Sequence, residues 1–286
     1  MLRIPNKNHA LCLSISFSPA SPMAATMLSL SSPLPPSSHP PCSSPPPPPP
    51  RALLEIQRSR IIACLRTSEG QLALEASRAA LRGGVSVVEI VMSTPGVLEV
   101  IKELVDEHPS SVIGVGTVLD AADARKAINV GAKFLMNPCT VMDILFDVQD
   151  DEVLYIPGVM TPTEVLSAYK SGARIVKVYP VSILGGHKYI SALKKPFPHI
   201  PMVASQGIAM DSIGRYIQEG ASAVVLSDAI FEKEAMRQRN FDEIQRLARL
   251  ASFQGLGAGK HQGQDIFIYD ELLVMLMKTN SSCILE

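Results

Sequence analysis

Residues Gly172–Pro180 read GARIVKVYP, and the reading of this stretch decides the fold. A glycine and a small residue lead into an apolar run. Ile175, Val176, Val178 and Tyr179 suit a β-strand. The same phrase recurs as GGVSVVEIV from Gly83, GAKFLMNP from Gly131 and GASAVVLS from Gly220. Each copy follows an amphipathic helical stretch, such as Gln71–Arg82 or Asp120–Val130. A glycine at that junction is the expected left-handed cap of the preceding helix.

Four further apolar runs lie between these copies: RIIACL from Arg60, SVIGVGTV from Ser111, VLYIPGV from Val153 and IPMVASQG from Ile200. The pattern predicts eight strands alternating with helices over residues 52–252, a compact closed (β/α)8 barrel. An open doubly wound sheet is the alternative, and the two-unit rhythm favours the barrel. Helix starts carry their own signals. Thr161-Pro162-Thr163-Glu164 places Thr at the N-cap, Pro at N1 and Glu at N3. Asp120 can cap the helix that follows its strand.

The flanks differ in composition. Residues 1–50 lack Asp and Glu, are rich in Ser and Pro, and end in six prolines, Pro45 to Pro50. Such a stretch has too little apolar surface to build a core. An acid-poor, Ser-rich N-terminus over residues 1–51 reads as a disordered transit peptide and points to the plastid stroma; Met23 would also make a good start. A secretory signal using ALCLSISF and a plain disordered tail with a cytoplasmic protein are the rivals. Residues 253–286 break the repeat. They read as a Gly/Gln-rich linker and an extension, with an accessory helix, a partner-binding tail and a spliced exon all open.

Charge and cysteine usage narrow the function. The 26 basic and 27 acidic residues give a net charge of -1, which leaves no electrostatic footprint for nucleic acid or an anionic membrane. No apolar run is long enough to span a bilayer as a helix. The five cysteines are scattered without metal-ligand or CxxC spacing, so neither a disulfide framework nor a metal site is expected.

Lys177 is the anomaly in the opening stretch. A barrel strand meets helices on one face and packed side chains on the other, so a charge on it leaves water. That costs several kcal/mol unless the charge is paired or neutralised. Strand alternation puts Lys177 on one face with Ile175 and Tyr179, and Glu89 with Val85, Val87 and Val91. It puts Thr117 in phase with Ile113 and Val115, and Pro138 in phase with Phe134 and Met136. A desolvated lysine is partly free amine near neutrality and can attack a carbonyl to form a Schiff base. The protonated imine is an electron sink, which makes cleavage of a neighbouring carbon–carbon bond feasible. Glu89 is the candidate acid/base for the proton transfers. A structural Lys177–Glu89 salt bridge is the competing reading.

From Arg60 to Ala251 the chain resembles the Schiff-base aldolases for 2-keto-3-deoxy-6-phosphogluconate and 4-hydroxy-2-oxoglutarate (KDPG and KHG). The tokens are RIIACLR, GGVSVVEIVMST, AKFLMNP, YIPGVMTPTE, GIAM and the long run from Ile175 to Met202. The resemblance implies a class I aldolase barrel, a homotrimer, a keto-acid substrate and no cofactor beyond the covalent imine. It places the Schiff base on Lys177, the acid/base on Glu89, the pyruvate carboxylate beside Thr117, and Pro138 in the pyruvyl pocket. The family's carboxylate-clamping arginine falls on Ser93. Its phosphate-binding backbone falls on Ser205, Gln206 and Gly207 after one strand and on Ser227 after the next. Side chains at Gln206 and Leu226 replace usual glycines, which leaves a reduced phosphate site. Two other readings compete: a barrel that has lost activity and binds a ligand or partner, and another phosphosugar enzyme such as an epimerase or isomerase.

Overall fold

The computed structural model describes residues 48–148 and 152–258. The expected leader is therefore outside the described residues up to position 47, and the expected tail is outside them beyond Ala258. The described residues open with α1 (Arg51–Ser59) and β1 (Ile61–Leu65), then α2 (Gly70–Arg82), β2 (Val87–Val91), α3 (Val97–Glu107) and β3 (Val112–Gly116). It continues with α4 (Ala121–Asn129), β4 (Phe134–Met136), α5 (Met142–Asp147), β5 (Leu154–Ile156), β6 (Gly158–Val159) and α6 (Pro162–Lys170). The remainder is β7 (Val176–Val178), α7 (His187–Lys194), β8 (Met202–Ser205), a 3-10 turn at Met210–Ser212, α8 (Ile213–Gln218), β9 (Ala223–Leu226), α9 (Lys233–Arg237) and α10 (Phe241–Gly257).

All strand pairs are parallel, in the order β5-β4-β3-β2-β1-β9-β8-β7-β6. The run expected as a fifth strand is thus two short strands separated by Pro157. Proline has no N–H to give a ladder. Its carbonyl accepts from the Lys177 N–H at 2.8 Å, while β5 pairs with β4 and β6 pairs with β7. The barrel closes through Pro157, so the eightfold expectation and the nine strands describe one ring. This is a (β/α)8 barrel of the TIM type.

Strand alternation sorts the apolar residues into two clusters. Inside lie Ile62, Val87, Val112, Phe134, Met136, Leu154, Ile156, Ile175, Val203, Ala223 and Val225, joined by Ala52, Leu53 and Ile56 of α1. Outside, Leu65, Val88, Ile90, Ile113, Val115, Leu135, Val176, Val178, Met202, Val224 and Leu226 pack under the helices. Helix α1 therefore plugs the barrel at the end where the strands begin. The expectation that Thr117 shares an inward face with Ile113 and Val115 is corrected here: on β3 the inner positions are Val112, Gly114 and Gly116. Val85 likewise belongs to the outer cluster, before β2 starts.

Local signals hold. Thr161 Oγ1 accepts from the Glu164 N–H while the Glu164 carboxylate accepts from the Thr161 N–H, a complete capping box with Pro162 behind it. Asp120 caps α4 by accepting from the Asp123 N–H at 2.8 Å. Gly131, Gly172 and Gly220 are left-handed; in the first copy the left-handed residue is Gly84, not Gly83. Gly83 serves a different need: a Cβ there would lie 2.6 Å from the Ala248 Cβ of α10. Helix α10 continues to Gly257 and takes in the first residues of the stretch expected as a linker.

Candidate active site

The inner face of the barrel is apolar except at a few positions. Glu89 is 2% exposed and Lys177 7% exposed, so both charges predicted to point inward are withdrawn from water. Glu89 sits mid-strand on β2, in register with Cys64 of β1 and Gly114 of β3. Lys177 sits mid-strand on β7, in register with Gly158 and Val203. Its Nζ lies 5.3 Å from the Tyr179 ring centroid, within range of a cation–π contact.

Glycine makes the room for these groups. A Cβ at Gly116 would collide with Glu89 Oε1, and one at Gly114 would enter the Phe134 ring. The inner face of β3 is thus hollowed on one side for a carboxylate and on the other for the barrel's largest inner side chain. Glu89 Oε2 is buried without a hydrogen-bond partner. A buried polar atom left open in this way is a place where a reacting group can dock.

Two residues at the site escape the sequence reading. Cys64 lies on the inner face of β1, packed against the inner cluster and opposite Glu89. Burial pushes its thiol up, and the neighbouring Glu89 carboxylate adds to that; Lys177 and Arg66 act the other way. Its signal was parity with Ile62 in an otherwise apolar run. Arg66 follows β1, and its Nη1 donates to Ser93 Oγ at 3.2 Å. Among the described residues no carboxylate is within ion-pair reach of Arg66, whereas Arg239, Arg237 and Lys233 nearby are each paired with an acid. Its signal was a cation at the C-terminal end of a barrel strand.

The remaining candidates fall at the strand ends. Thr117 and Pro138 are half-buried, directly after β3 and β4. The loops that carry them are tied by fully buried Asn137, whose Oδ1 accepts from the Val118 N–H and whose Nδ2 donates to the Tyr155 hydroxyl, both at 3.0 Å. The same hydroxyl accepts from the Val141 N–H. Burial pushes the Tyr155 phenol up to about 12, so it stays protonated. Ser205 is buried on the inner face of β8, whereas Gln206, Gly207, Ser227 and Ser93 are exposed on loops. Gln206 adopts φ +86° and accepts from the Ser182 hydroxyl of the loop after β7. Gly207 is left-handed too, and a Cβ there would meet Ser182 Oγ. Ser227 lines an open cleft with Arg66, Thr67, Phe231 and Arg239, apart from the Gln206–Ser182 contact. Among the described residues no helix is long and apolar enough to cross a membrane.

The chain is similar to known proteins. A family model described as KDPG and KHG aldolase matches residues 54–247. A 2-dehydro-3-deoxy-phosphogluconate aldolase of Pseudomonas aeruginosa is 30% identical over 169 residues, 59% of this chain and 77% of that protein. A KHG/KDPG aldolase of Escherichia coli K12 is 25% identical over 63% of this chain and 84% of its own length. Among solved structures, a KDPG aldolase of Legionella pneumophila, holding pyruvate as a covalent carbinolamine, superposes with a TM-score of 0.66. It is 24% identical and covers 70% of this chain and 98% of its own. A 2-keto-3-deoxy-6-phosphogluconate aldolase of Zymomonas mobilis gives a TM-score of 0.64 at 24% identity, covering 71% and 95%.

Proposed function

Because the chain belongs to the KDPG and KHG aldolase family, we propose that it is a metal-independent Schiff-base aldolase that releases pyruvate from a 2-keto-3-deoxy or 4-hydroxy-2-oxo acid. The observation that carries this reading is the withdrawal of Lys177 and Glu89 together onto the inner face of the barrel. The Lys177 amine adds to the C2 carbonyl and, with loss of water, gives an iminium. Glu89 takes the proton of the C4 hydroxyl. The C3–C4 bond breaks, its electrons pass to the iminium as an enamine, and the aldehyde leaves. Glu89 returns the proton to C3, and water then releases pyruvate and the free amine.

Thr117 and Pro138 shape the pyruvyl pocket in this reading, held by Asn137, which ties their loops together through the Val118 N–H and anchors on the Tyr155 hydroxyl of β5. Ser93 alone cannot supply a charge for the substrate carboxylate. Arg66, which donates to Ser93, would supply that charge. The distal end favours an unphosphorylated substrate. The Gln206 side chain, bridged to Ser182, occupies the place where a backbone cradle would need open glycine. A homotrimer is also proposed; exposed Leu119, Met142, Phe146, Met160 and Ile183 offer apolar surface to bury, and a sedimentation mass of three chains is the expected result.

The test is cleavage of 2-keto-3-deoxy-6-phosphogluconate and 4-hydroxy-2-oxoglutarate side by side. Wild type is expected to favour the unphosphorylated acid by at least about tenfold in kcat/KM, a difference of roughly 1.4 kcal/mol. Gln206→Gly is expected to narrow that gap. A preference for the phosphorylated acid would overturn the substrate assignment, and cleavage of neither would overturn the aldolase reading.

A further inference from the structure

We propose that Cys64 is a positioning residue for Glu89: its thiol donates a hydrogen bond to the carboxylate, fixing its orientation so that Oε2 stays open to the substrate. The proposal rests on the reading in which Glu89 moves protons at the imine, and it assigns a role to a residue that reading does not use.

The placement comes from the sheet. β1 and β2 are parallel neighbours, and Cys64 is the registered partner of Glu89. Ile62 and Val87 belong to the inner cluster, so Cys64 and Glu89, each two residues on, share that face. Adjacent strands lie about 4.8 Å apart, which puts the two side chains in contact range. The other elements around Glu89 offer little competition. β3 presents Gly114 and Gly116, which carry no side chain. β7 contributes Lys177, and Arg66 stands beyond Cys64 at the end of β1. Burial and the neighbouring Glu89 charge keep the thiol protonated and able to donate.

A thiol is a weak donor, and that suits the task. A carboxylate that must take a proton at one carbon and return it at another has to be held in place while remaining basic. A strong donor would stabilise the ionised form and blunt it as a base. An apolar residue at position 64 would leave Glu89 free to rotate in a buried site with its oxygens unsatisfied. The unpartnered Oε2 is the half of the carboxylate that the thiol leaves available.

Two measurements test this. The first is exchange of the pyruvate methyl protons with deuterium, followed by NMR in wild type, Cys64→Ala, Cys64→Val and Cys64→Ser. This half-reaction needs no aldehyde. Cys64→Ala and Cys64→Val are expected to slow exchange at saturating pyruvate by about tenfold, the size of one hydrogen bond to a charged group. The pyruvate half-saturation should change by less than about twofold, and Cys64→Ser, which keeps a donor but a stronger one, should restore only part of the rate. The second is the infrared S–H stretch of Cys64, isolated as the difference between wild type and Cys64→Ser. It is expected below the frequency of the exposed Cys139 thiol and to shift upward in Glu89→Gln. Wild-type exchange rates in Cys64→Ala and Cys64→Val would overturn the proposal. So would a Cys64 band at the free-thiol frequency that Glu89→Gln leaves in place. Absence of exchange in wild type would instead overturn the aldolase reading, and the infrared band would still decide the contact.

Discussion

At the scale of single residues, the proposed chemistry depends on charges held away from water. Among the described residues, Lys177 and Glu89 are the two charged side chains that are buried, and both stand mid-strand, where backbone position is best fixed. Arg66 complements them at the mouth, held by a neutral hydroxyl and free to meet an anion. Arg66→Gln is therefore expected to raise KM for the keto acid by about tenfold or more, with Arg66→Lys recovering little, because a point charge does not reproduce a guanidinium fork. Steady-state kinetics check this, and an unchanged KM would remove Arg66 from substrate binding. Lys177 was legible from sequence because a lone charge in an apolar run has a parity that can be counted. The phase given to Thr117, shared with Ile113 and Val115, failed for a physical reason. Two of the three inner positions of β3 are Gly114 and Gly116, and glycine leaves no trace in an apolar pattern while Ile113 and Val115 do. Arg66 and Cys64 were missed because their roles come from neighbours in space, across a loop and across a strand pair.

At the scale of elements, the loops that carry the site are set by caps and ties. The β6–α6 junction shows this most fully. Glu164 accepts from the Met160 and Thr161 N–H groups, and those bonds hold its carboxyl below the usual glutamate range against a smaller opposing effect of burial. The folded value is depressed, so the stabilisation is present above the ordinary glutamate pKa and fades as pH falls through the folded value. Thr161→Ala is expected to cost about 1 kcal/mol in urea unfolding near neutrality. Glu164→Gln should lose stability at neutral pH and flatten the acid limb of the stability curve. Equal pH dependence in Glu164→Gln and wild type would contradict that account. This junction was readable from Thr161-Pro162-Thr163-Glu164 alone. The division of β5 from β6 was less so, since Pro157 in an apolar run does not say whether the strand ends or merely loses one bond.

At the scale of the whole molecule, the eight repeats specify a ring, and the ring brings residues from distant strands to one inner face. The fold was legible because each glycine-led strand repeats one local solution. The family follows from residues 54–247 taken together, more than from any single token. The substrate's distal end was harder to read, because it rests on loop contacts such as Gln206 with Ser182, which no periodicity encodes. The central claim is that Lys177 is an imine-forming amine. Borohydride reduction in the presence of pyruvate, followed by mass spectrometry of the digested protein, tests it most directly. The account predicts a covalent reduced pyruvyl adduct on Lys177, absent in Lys177→Met and still formed in Glu89→Gln. No adduct in wild type under conditions that label a known Schiff-base aldolase, or an adduct on another lysine, would contradict it.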